Sequence, residues 1–213
     1  MGNVMQAFPE LVKRHRVDPG KLVHVGAHEG QEMRFYYEAG FTDMVLVEPI
    51  PELAKQLRTR FPGVEVVQAA CSDHEGEATL NILQRTNMST LLEPGPLDQV
   101  TRTVGVALRR LDAIAPDAQV AVIDAQGHEL EVLSAAPWDS LQMVIVETCT
   151  VDDPTVASSY DLVTEAVTTK GFVEVDRWTR DYDWVSRWAR GNKGQRKTGG
   201  EIRDVVFLRG DRA

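Results

Sequence analysis

The stretch that most restricts this 213-residue chain is Lys21-Leu-Val-His-Val-Gly-Ala-His-Glu-Gly30. A short apolar run that empties into glycine, histidine and glycine reads as a buried strand entering a tight turn at a helix start. A second run, Asp43-Met-Val-Leu-Val-Glu-Pro49, repeats the pattern and closes on a carboxylate. Strands that alternate with helices in this way predict a parallel sheet covered on both faces. Residues 64–70, 119–124 and 143–147 supply three more strands, and 52–60, 127–135 and 156–170 read as the helices between them. The last two strands, 172–176 and 202–209, lack a helix of ordinary length between them and predict an antiparallel hairpin. Residues 4–16 place Val4, Met5, Phe8, Leu11 and Val12 at helical spacing, which predicts an N-terminal helix within 1–18 that covers one edge. Weaker signals give strands at 78–83 and 104–108, a loop at 84–98 and a short helix at 111–114. The expectation is one α/β domain over 1–213, with 178–200 as a lid-like insertion.

Composition narrows the partners. A formal charge of −9 argues against nucleic acid, because phosphate binding needs a positive field. Cys71 and Cys149 make no metal-ligand spacing and read as reduced thiols. No run approaches the ~20 apolar residues of a membrane span, and the N-terminus lacks a basic segment followed by an apolar core. The cytoplasm is therefore the expected compartment.

A strand–turn–helix followed about 20 residues later by an acidic strand end is the arrangement that holds a nucleoside cofactor by its ribose. Glycines at 26 and 30 let the backbone approach a ligand closely. Their Gly-x-x-x-Gly spacing departs from the dinucleotide fingerprint, so the methionyl end of S-adenosylmethionine suits the turn better than a pyrophosphate. A tight turn with no ligand is the competing reading. Glu48 can accept both ribose hydroxyls, and its competing role is a helix cap. Cys71, Ser72 and Asp73, at the end of the third strand, stand where an adenine ring would lie.

Several blocks together carry a family resemblance. His24-Val-Gly-Ala-His-Glu-Gly30, Val47-Glu-Pro49, Ala69-Ala-Cys-Ser-Asp73, Arg110-Leu-Asp112, Ile123-Asp-Ala-Gln-Gly-His-Glu129 with Val132-Leu133, and Val146-Glu147 resemble the FkbM-type methyltransferases over roughly residues 20–175. The resemblance implies S-adenosylmethionine as cofactor and the seven-stranded, Rossmann-like class I methyltransferase sheet. It also implies O-methylation of sugars, glycans or polyketides. His24 stands where the family often has an acid, and His128 where a small residue is frequent. The alternatives are N-methylation of a small amine and a nicotinamide-dependent Rossmann oxidoreductase. The latter lacks its glycine at His28 and any Tyr-x-x-x-Lys pair.

Methyl transfer to a hydroxyl requires alignment of the acceptor oxygen and removal of its proton. Asp124 and Glu147 end the fourth and fifth strands, so both are expected at the carboxyl edge of the sheet, where they can form an oxygen site for Mg2+. Their competing roles are cofactor orientation and helix capping. His128, at a helix start, is the candidate general base, with His28 as second candidate. Gln126 and Glu129 can instead serve as helix-start hydrogen-bonding residues. Ser89 lies on a polar loop that can reach over the cofactor or form a plain turn. In the insertion, Trp178, Tyr182, Trp184 and Trp188 lie among arginines. Flat aromatic faces suit a sugar ring, so these are the expected contacts to a saccharide or small-molecule acceptor. Packing, or a homodimer contact, is the competing role.

Overall fold

The computed structural model describes residues 2–94, 99–150, 158–181 and 201–212. Among them are ten strands in two sheets, six α-helices and one short 3-10 helix (Thr86–Met88). The large sheet has seven strands: β1 (Lys21–Val25), β2 (Asp43–Val47), β3 (Glu65–Val67), β7 (Ala118–Ile123), β8 (Met143–Thr150), β9 (Phe172–Asp181) and β10 (Glu201–Arg209), in the order β3-β2-β1-β7-β8-β10-β9. Its first five members run parallel, and β10 is antiparallel to both β8 and β9. The expected mostly parallel sheet with an antiparallel C-terminal hairpin is therefore present.

The apolar runs explain this order. β1, β7 and β8 are buried almost continuously because helices cover both their faces. Leu22, Leu46, Val122, Ile145 and Val206 pack against α1 (Gly2–Arg14), α2 (Met33–Glu38) and Leu57 of α3 (Pro51–Arg60). The alternate residues Val23, Val45, Ile123, Val144 and Val205 pack against α4 (Leu111–Ile114), α5 (Glu129–Ser134) and α6 (Tyr160–Thr168). Period-two alternation thus assigns each strand residue to one layer or the other. Successive strands are added outward in opposite directions from β1 and β7, and such a switch point opens a crevice at the carboxyl ends of these parallel strands.

The run at 64–70 divides where one strand was expected. β3 stops at Val67, and β4 (Ala70–Ser72) leaves for a second sheet of order β4-β6-β5, with β5 spanning Gly76–Leu83 and β6 spanning Val100–Arg110. The short strand expected at 104–108 is eleven residues long. Only Val106 and Leu108 of it are buried, so its Thr- and Arg-rich first half carries little strand signal. Leu80, Ile82, Val106 and Leu108 form a separate small core on Ile50 and Leu53, which seats this sheet over the start of α3. The helix expected at 127–135 begins only at Glu129 because Gln126 and Gly127 have positive φ, 51° and 100°. α6 begins at Tyr160, where the Ser159 side chain accepts from the Leu162 amide; the residues expected to precede it, through 157, lie outside the described ones. No helix among the described residues is long and apolar enough to cross a membrane.

Candidate active site

One sheet face changes from apolar to polar at its carboxyl edge. Two positions beyond Leu22, Leu46, Val122 and Ile145 come His24, Glu48, Asp124 and Glu147, and the pleat keeps all four on the α1–α2 side. Asp204 of β10 joins them, directly opposite Glu147 in the antiparallel register. A cleft of about 400 Å³ opens over this row. Gln31 and Glu32, just before α2, close one side of it. Thr86, Asn87, Met88 and Ser89, from the loop of the small sheet, close the other. Ile50, Ala70, Cys71 and Leu80 give one apolar wall. The lining contains four carboxylates and no Lys or Arg among the described residues. A wider hollow of about 810 Å³ beside α1 and residues 16–19 sits at the amino end of the sheet, where open α/β sheets do not bind their ligands.

The first turn is held by backbone geometry. Gly26 has φ +80°, and a Cβ there would stand 1.9 Å from the Asp124 carbonyl oxygen. The Gly26 and Ala27 amides both donate to the Val47 carbonyl, at 2.9 and 3.1 Å. His28 follows with φ 48°, a conformation that costs a non-glycine residue energy, and its amide donates to Glu48 Oε2 at 2.8 Å. The Ile50 amide donates to Glu48 Oε1, also at 2.8 Å. Each carboxylate oxygen has one amide partner and keeps a lone pair. Burial raises the Glu48 carboxyl to about 7, against the opposing pull of the two amides. Across the cleft mouth His28 Nε2 lies 2.9 Å from Thr86 Oγ1, and burial lowers the pKa of this ring.

The second turn follows β7. The Gln126 side-chain amide donates to Asp124 Oδ1 at 2.5 Å and to Glu147 Oε2 at 3.1 Å. Burial first, and then the Glu147 charge, push the Asp124 carboxyl well above its ordinary range. Burial likewise raises Glu32. The Asp124–Glu147 pair expected to hold Mg2+ is thus occupied by an amide that bridges the two acids. Among the described residues no group of three or more His, Cys, Asp or Glu is set to hold a metal ion. This donor set does not fit a resident cation. Glu129 is buried beneath the turn and accepts from the Ala125 amide at 2.8 Å and the Gly127 amide at 3.1 Å, which bears out its helix-start role. The small sheet grips the same turn, since Thr90 Oγ1 donates to the Gln126 carbonyl at 2.8 Å.

His128 lines the cleft, but its ring nitrogens are directed elsewhere. Nε2 lies 3.1 Å from Ser72 Oγ, whose own hydrogen goes to Asp73 Oδ1 at 3.1 Å. Nδ1 is buried without a hydrogen-bond partner, 3.6 Å from Glu131 Oε2. Ser72 therefore stands behind His128 and does not form part of the wall.

Of the residues singled out in the sequence, the fold brings Gly26, His28, Glu48, Cys71, Ser89, Asp124, His128 and Glu147 to one cleft. Four others, Ser72 among them, do not line it. A Cβ at Gly30 would press on Phe61 at 2.6 Å and Leu57 at 3.0 Å, so this glycine serves helix packing. Asp73 faces solvent beside His74, with Nδ1 at 2.5 Å. Trp178, the cross-strand partner of Asp204, packs on the α1 side of the core and does not line the cleft. Tyr182, Trp184 and Trp188 lie outside the described residues. Ser89 Oγ accepts from the Leu83 amide at 3.2 Å and closes the hairpin of its own sheet while lining the cleft. His24, Gln31 and Glu32 were missed as wall residues. Glu32, two residues beyond the glycine turn at a helix start, was the readable signal.

Solved methyltransferases share this overall fold. A protein from Galdieria sulphuraria, described as a sarcosine dimethylglycine methyltransferase, matches at TM-score 0.58 and 10% identity, covering 98% of this chain and 86% of that one. One from Pyrococcus horikoshii, described as an RNA methyltransferase, matches at 0.52 and 11%, covering 98% and 84%. A methyltransferase from Geobacter sulfurreducens, solved with S-adenosylhomocysteine, matches at 0.50 and 11%, covering 96% and 90%. At these identities the likeness shows the fold, which is the class I methyltransferase sheet. Among curated proteins none matches. The sequence signature of the methyltransferase FkbM domain matches residues 24–183, which sets aside the oxidoreductase alternative, and the chain belongs to the FkbM methyltransferase family.

Proposed function

We propose that the chain is an S-adenosylmethionine-dependent O-methyltransferase acting on a hydroxyl of a saccharide or related natural product. The observation that carries the cofactor assignment is Glu48. Its oxygens are fixed by the His28 and Ile50 amides, each keeps acceptor capacity, and the residue lines the cleft. Two adjacent ribose hydroxyls match that pair of acceptors. Ile50, Ala70, Cys71 and Leu80 offer an apolar wall to a purine ring. Glu32, Asp124 and Glu147 face the remaining volume with negative charge, which suits a ligand bearing a sulfonium and an ammonium.

When bound, S-adenosylmethionine supplies a methyl group made electrophilic by its sulfonium. The chain supplies alignment and a proton acceptor. Asp124 fills the second role better than His128. It faces the cleft with a carboxyl of raised pKa, whereas both His128 nitrogens are directed at Ser72 and Glu131. The proton leaving the acceptor hydroxyl goes to Asp124, and the Gln126 amide keeps that acid and Glu147 at a fixed separation.

The acidic wall favours one second reading, methylation of a small amine. Incubation with a labelled methyl donor, oligosaccharides and primary amines, with and without EDTA, decides between them. Label is expected on the saccharides and unchanged by EDTA. Label on amines alone would move the assignment to N-methylation. Failure of the protein to bind S-adenosylhomocysteine in calorimetry would remove both readings.

A further inference from the structure

His24 is the only non-acid in the polar row at the sheet edge. It is buried on β1, at the floor of the cleft, on the same face as Glu48, Asp124, Glu147 and Asp204. Tyr36 of α2, also fully buried, places its hydroxyl 3.1 Å from His24 Nδ1, with the two rings perpendicular. Neither side chain makes another hydrogen bond among the described residues. That fixes the proton positions. A buried phenol hydrogen needs an acceptor, and Nδ1 is the one within reach. If Nδ1 accepts, the ring hydrogen resides on Nε2. Burial also lowers the His24 pKa to about 3, so the ring stays neutral and does not oppose a nearby cation. The outcome is one neutral N–H donor set among carboxylates that cannot donate when ionised.

A donor in an acidic row has no use for an ammonium or a sulfonium. It has use for the one anionic group of an S-adenosyl compound. We infer that His24, locked as its Nε2–H tautomer by Tyr36, is a positioning residue that reads the α-carboxylate of the cofactor, while Glu32 faces its α-ammonium. This rests on the cofactor assignment above and deepens it. The amino-acid end of the ligand would then be recognised as a zwitterion, each charge by a different side of the same cleft.

Calorimetry with three probes tests it: S-adenosylhomocysteine, its decarboxylated analogue and its deaminated analogue. For wild type, loss of the carboxylate should weaken binding roughly tenfold or more, the scale of one hydrogen bond to a charged group. In His24→Leu, S-adenosylhomocysteine should weaken by about that factor while the decarboxylated analogue changes less than about twofold. His24→Asn, which keeps a donor, should recover part of the loss. Equal weakening of all three probes in His24→Leu would overturn the inference, as would a penalty that follows the amine in place of the carboxylate. Ring 15N shifts of the unliganded protein give an independent check that does not need a foldable variant. Wild type should show the Nε2–H form at His24, and the Nδ1–H form would overturn the inference even if S-adenosylhomocysteine binds. Wild-type protein that fails to bind S-adenosylhomocysteine would instead overturn the cofactor assignment, and this inference with it.

Discussion

The two turns that flank the switch point use one device for two purposes. After β1, a left-handed His28 is stabilised by a buried carboxylate that accepts its amide. After β7, left-handed Gln126 and Gly127 are stabilised by a buried carboxylate that accepts the amides around them. The two turns touch, with Gly26 against the Asp124 backbone. Yet Glu48 lines the cleft and Glu129 does not. Glu48 takes one amide per oxygen, whereas Glu129 takes amides from Ala125 and Gly127 and sits beneath its turn. A buried acid that holds a left-handed turn is thus scaffold or site according to whether it also borders open volume.

Substitutions can break this pairing. The largest effect is expected at the contact between the turns. Gly26→Ala places a methyl 1.9 Å from backbone at φ +80°, and soluble, cooperatively folding protein should be lost in thermal denaturation. Gly127→Ala is the comparison: φ +100° strains an alanine there too, but its Cβ would meet only the flexible end of Leu92 at 2.5 Å and no backbone, so folding should survive with a lower Tm. Next, Asp124→Asn should lower kcat by roughly a hundredfold or more while S-adenosylhomocysteine still binds. Retained turnover would move the proton acceptor elsewhere.

Smaller effects separate the two acids. Glu129→Gln leaves an amide group where two backbone donors point. It should cost about 1–3 kcal/mol, seen as a Tm lower by roughly 2–4 °C per kcal/mol. Glu48→Gln should act mainly on the ligand, with S-adenosylhomocysteine binding weaker by about tenfold. Its pH signature is distinctive. The folded carboxyl holds its proton to about 7, whereas the unfolded chain releases it near 4.5. Between those values the folded state binds more protons, so the stability of the unliganded protein falls as pH rises through this window. Ribose hydroxyls prefer the ionised acceptor, so ligand affinity should rise as pH passes about 7. Glu48→Gln should flatten both slopes, and unchanged slopes would place the titrating group elsewhere.

The sheet was legible because burial on both faces writes itself into sequence as unbroken apolar runs such as Val120-Ala-Val-Ile123. The switch-point turn was legible because Gly26 admits no side chain. The small sheet was not, since β6 buries only Val106 and Leu108 and its opening residues look like loop. Nor was the Gln126 bridge, because its second anchor, Glu147, is brought in by a different strand. Local spacing likewise assigned Gly30 to a ligand, whereas its missing side chain makes room for Phe61 and Leu57, neither of which is near it in sequence. The role of His24 depended on a tyrosine twelve residues away and on the hydrogen-bond count at its hydroxyl.

Thr90 belongs to the small sheet, but its hydroxyl is bonded to the carbonyl of Gln126. The rim of the crevice and the amide that separates two like charges are therefore mechanically one part. A substitution that removes the Thr90 hydroxyl would loosen the same turn whose side chain holds Asp124 and Glu147 apart.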